Sequence, residues 1–119
     1  MAAMAEAFGH REHIRLAWVQ LRDHEPDEAL GRVEGTIRHL AAAHGEPAKF
    51  HRTITAAWMA LVEYHRSEAP DLEFDAFLDR FPALLDRHLL DHHFSPELIA
   101  SSSAREQKLA PDLRPLPAR

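Results

Sequence analysis

Ten of the 119 residues are histidine, and two short stretches space them so that chemistry comes within reach. The first is His10-Arg11-Glu12-His13, a His-x-x-His pair. At i, i+3 on a helix both rings stand over one patch of surface, so two ligands can reach one ion. The second is His51-Arg52-Thr53-Ile54-Thr55. Neutral imidazole is the commonest metal ligand. A third histidine from another helix, best His51, would complete a three-histidine site. Its open fourth position would take water or a small-molecule substrate. Thr55, one turn inside His51, could orient a metal-bound water or a ligand. Its alternative is a bond to the carbonyl one turn back. A histidine-dominated set suits zinc or copper and also admits iron or nickel.

Positioning these residues requires helices. Glycine is scarce and four segments carry a helical period. The first spans about residues 10–23. The second spans about 27–43, with Pro26 suited to its first turn and Gly45 to its C-terminal stop. The third spans about 48–66. The fourth spans about 72–92, with Pro82 inside it, where proline should kink or split the helix. Ser95-Pro96-Glu97 reads as an N-cap and first turn, so a short helix is expected near 96–100. Residues 101–119 are expected to form an extended, proline-rich tail and residues 1–8 a flexible terminus. Short connections favour antiparallel neighbours. The expected architecture is all-α: a single up-down four-helix bundle whose fourth helix is kinked at Pro82.

Wheel positions at 100° per residue then assign faces. His10 and His13 share a face with Ala17 and Leu21. His44 aligns with Leu30, Val33, Ile37 and Leu40. His51 shares a stripe with Thr55, Trp58, Val62 and His65. His88 aligns with Phe74, Phe77, Phe81 and Leu84, and His92 follows one turn later. His39 and His93 should face water. In an up-down bundle the starts of the first and third helices meet the ends of the second and fourth. His10, His13, His44, His51, His88 and His92 would therefore gather at one end, with His24 and His65 at the other.

Composition narrows the classes. There is no cysteine, which excludes disulfides, thiolate catalysis and Cys-ligated zinc. A net charge of −5 argues against a nucleic-acid-coating role, which needs a basic stripe. No run approaches a membrane span, and no signal-peptide pattern opens the chain, so a cytoplasmic protein is the default expectation. His-Glu-x-x-His, Gly-rich phosphate loops and Gly-x-Ser-x-Gly are absent from the sequence. Glu12 and Glu63 lie off the faces that a carboxylate-bridged di-iron site would need.

The stretches Phe8-Gly-His10-Arg-Glu-His13-Ile-Arg-Leu-Ala-Trp18, His44-Gly45, Lys49-Phe-His51-Arg-Thr53-Ile-Thr55 and the C-terminal Phe94-Ser-Pro…Ser103-Ala-Arg105…Pro111-Asp112-Leu113 resemble a group of small bacterial all-α proteins with no assigned activity. The resemblance covers nearly the whole chain. It implies a bacterial origin and a shared site at His10, His13, His51 and Thr55, and it supplies no reaction.

Three functions follow as expectations. One is a metalloenzyme, with a divalent transition metal on His10, His13 and His51, joined by His88 or His92. The second is a non-enzymatic binding module, a homodimer through the fourth helix and the tail, with structural or pH-sensing histidines. The third is metal storage or delivery.

Overall fold

The computed structural model describes residues 9–118, so the expected flexible terminus at 1–8 lies outside the described residues. Every regular element among them is helical. Three long helices form the scaffold: α1 (His10–Asp23), α2 (Pro26–Ala43) and α3 (Arg52–Glu68). Each packs against the other two. Their limits follow from local chemistry. Pro26 opens α2 at a position where its missing N–H costs nothing. Gly45 closes the segment at φ +72°, in the left-handed region that favours glycine. A 3-10 turn (Pro47–Lys49) then leads into α3.

α1 buries Ile14, Ala17, Trp18 and Leu21, the i, i+3, i+4, i+7 stripe of an amphipathic helix. α2 buries only Ala29 and Val33, as an outer helix does. α3 is different. Thr53, Thr55, Ala56, Ala57, Met59, Leu61 and Val62 are all buried, more than one face of a helix. It is central: α1 and α2 cover one side, and the C-terminal part of the chain covers the other.

The expected long fourth helix is replaced by short pieces: α4 (Phe74–Arg80) and two 3-10 turns (Pro82–Leu85 and Leu89–His92). Pro82 does more than kink the chain. Phe81, the residue before it, sits at φ −125°, ψ 63°, outside the helical region that a following proline disfavours. Phe74, Phe77, Leu78, Leu84 and Leu90 still reach the core from these turns. The short α5 (Pro96–Ala100) occupies the expected range, capped by Ser95, whose hydroxyl accepts from the Leu98 N–H. The tail is less extended than expected. Ser101 caps a further helix, α6 (Ser102–Glu106), which packs against α3. Residues beyond it run back over α3, where Thr53, Ala56, Ala57 and Ala60 and the tail residues Leu109, Pro111 and Leu116 line a common cleft. No helix among the described residues is long and apolar enough to cross a membrane.

Candidate binding site

His51 is not inside a helix. It is the N-cap of α3, with extended backbone at φ −133°, ψ 112°. Its Nδ1 accepts from the Ile54 N–H at 3.1 Å, satisfying one of the orphan donors of the first turn. That fixes the tautomer: Nε2 carries the proton and donates to the Ile99 carbonyl at 2.8 Å. The residue is 7 % exposed, and both ring nitrogens are engaged by this chain's own backbone. Thr55 takes the second course open to it, donating from Oγ1 to the His51 carbonyl at 2.8 Å.

His10 is the first residue of α1. Its Nε2 donates to the Leu84 carbonyl at 2.8 Å, and its ring meets Trp58 edge-on at 4.5 Å between centroids. Burial holds its pKa below the ordinary 6.5, and the nearby Arg87 pushes the same way. The Leu84 bond and Asp86 oppose them. His13 is also held below 6.5, first by burial and then by His10. His13, His51 and Thr55 line one cavity of about 120 Å³, with Ala17, Val33, Ile37 and Trp58 among its apolar walls. His10 does not line this cavity, so the expected set of His10, His13 and His51 is not brought together around one space.

His88 and His92 stand elsewhere. Neither lines this cavity. The His88 side chain is 80 % exposed, with Nδ1 3.4 Å from the Asp91 carboxylate, and His92 is exposed. The wheel placed them in the core because it carried helical phase through Pro82, where the helix has already ended. For the same reason His93, expected at the surface, is buried; its Nδ1 donates to the Arg114 carbonyl at 2.9 Å. His39 is exposed as expected, and His44 is half-buried outside the cavity. Among the described residues, no three of His, Cys, Asp or Glu form a group able to hold a metal ion.

The sequence reading missed a second anchor, Thr53. Its hydroxyl donates to the Gln107 carbonyl at 2.5 Å and accepts from the Leu109 N–H at 3.0 Å. It gave no role to Arg105, which donates to the Ala48 carbonyl. A threonine beside a helix start is a weak signal for a contact more than fifty residues away. On the far side of His51 lies an open groove of about 650 Å³, bounded by Lys49, Ile54, Asp91, Phe94, Ile99 and Arg105. His51, Lys49 and Ile54 form the wall between this groove and the inner cavity.

Compared with known proteins, the chain matches no family model, no curated protein and no solved structure. The class reached at this point is an all-helical protein with a three-helix scaffold, an irregular C-terminal half, and a seam between them held by histidine and threonine side chains.

Proposed function

We propose that this chain is a non-enzymatic binding module. Its histidines lock the irregular C-terminal half onto the three-helix scaffold, and the seam between the halves forms the ligand groove. The observation that carries the reading is His51. Its ring bridges the first turn of α3 to the Ile99 carbonyl, leaving neither nitrogen for a metal unless the cap is given up. His10 supports it in the same way, bonded from α1 to the Leu84 carbonyl of the C-terminal half, while His93 ties that half together internally through the Arg114 carbonyl. Self-association belongs to the same reading. Leu85 and Leu113, on the fourth segment and the tail, are the exposed large apolar residues among the described ones, and light scattering on the purified chain gives the number of copies.

The test is elemental analysis of untagged protein prepared without nickel resin, with melting curves in chelator and in excess zinc or copper. Metal-free protein with an unchanged melting temperature is expected. A stoichiometric zinc, copper or iron, lost in His13→Ala or His51→Ala, would overturn the reading in favour of a metalloprotein.

A further inference from the structure

Resting on that reading, we propose that the groove beside His51 takes a small amphiphilic carboxylate. The carboxylate would sit between Lys49 and Arg105, with the apolar body on Ile99 and Ile54. Four observations lead there. The first is charge. The chain carries a net −5, yet the charged residues of the groove are two cations against one carboxylate, Asp91. Asp91 is itself turned to His88, with 3.4 Å between Nδ1 and Oδ2.

The second is donor capacity. Lys49 Nζ is 2.6 Å from Glu46 and Arg105 spends one nitrogen on the Ala48 carbonyl. An ammonium has three donors and a guanidinium five, so both keep N–H groups for a ligand. The third is the apolar wall. Ile54 and Ile99 are half-buried and line the groove, so it offers apolar surface beside its cations. The fourth is size: about 650 Å³ lies inside the ~300–1,000 Å³ typical of small-molecule sites.

The same features select against other ligands. A neutral guest would cover the Arg105 guanidinium without pairing its charge, at a desolvation cost. An inorganic anion such as phosphate would leave the apolar wall uncovered.

The experiment is a titration of the full chain with hexanoate, hexylamine and hexanol, followed by two-dimensional amide NMR. Hexanoate is expected to shift the amides of Lys49, Ile54 and Ile99 saturably, with hexylamine and hexanol weaker. Lys49 is a surface residue, so Lys49→Gln should fold normally; it is expected to weaken hexanoate about fivefold, the worth of one exposed charge pair. Arg105→Gln is expected to weaken it further. The assignment is overturned if hexanoate causes no saturable shift, if hexylamine binds as tightly, or if Lys49→Gln and Arg105→Gln both leave its affinity unchanged. Metal content and the stability of His51→Ala are measured on the same preparation. Failure of hexanoate on metal-free protein removes the groove assignment alone, whereas stoichiometric metal removes the reading beneath it.

Discussion

Removing His51 should expose how much of the fold hangs on one ring. His51→Ala deletes two interactions at once. Loss of an N-cap costs typically about 1 kcal/mol. Loss of the Nε2–H donor leaves the Ile99 carbonyl without it, which costs about 1–3 kcal/mol when that group is out of reach of water. The expected destabilisation is therefore about 2–4 kcal/mol. A small domain has a urea m-value of roughly 1–3 kcal/mol/M, so the midpoint should fall by on the order of 1–2 M. His51→Asn separates the parts. Asparagine is among the best N-caps and can still accept from the Ile54 N–H, while its short side chain gives up Ile99. It should recover about 1 kcal/mol of the loss. Both variants are to be measured by urea denaturation in chelator at a pH well above 7. A loss below about 0.5 kcal/mol in His51→Ala would refute the clamp. Equal losses in the two variants would refute the cap.

Acidification gives a second expectation. His10 and His13 are both held below 6.5 in the folded chain, mainly by burial. Between their folded values and 6.5 the unfolded chain binds more protons, so stability rises with pH there. The contribution is complete above 6.5 and is lost as pH falls from 6.5 through the folded values; His13→Gln should flatten that slope in urea melts. Thr53→Val keeps the side-chain shape and removes the bonds to Gln107 and Leu109. It should cost about 1–3 kcal/mol and quicken proteolytic cutting near residues 107–110. His88→Ala should change stability by less than about 0.5 kcal/mol, because the side chain is 80 % exposed. A larger loss in the same assay would show that the residue is packed in solution.

The scaffold was legible in the sequence because its three helices are long enough for periodicity to speak. The stripe Ile14, Ala17, Trp18, Leu21 and the stops at Pro26 and Gly45 are where the pattern puts them. His13, His51 and Thr55, which the sequence reading grouped, do line one cavity, although His10 does not join them. The reading loses its footing at Phe81-Pro82. A wheel assumes an unbroken 100° step, and beyond the break His88 and His93 exchange their expected environments. His51 shows a subtler limit. The stripe through Thr55 and Trp58 places it on the right side of α3, yet the ring is a cap, and which acceptor and donor a histidine takes depends on the segment folded over it.

That segment gives a physical reason for the excess of histidine. From Pro82 onward the chain is built of turns and helices of five residues or fewer, whose backbone groups are only partly used by their own elements. Leu84, Ile99 and Arg114 each present a carbonyl that an α-helix would have satisfied internally. Each receives an imidazole nitrogen: from α1 through His10, from the start of α3 through His51, and from within the segment through His93. A neutral imidazole supplies one donor and one acceptor on a rigid ring with an apolar edge. It can therefore enter a seam lined by Trp58, Ile54 and Phe94 and still bond at both ends. Lysine would bring a charge into that seam, and serine is too short to span it. The groove that Lys49 and Arg105 flank is shaped by this clamp, so its occupancy and the hold of the C-terminal half are expected to rise and fall together.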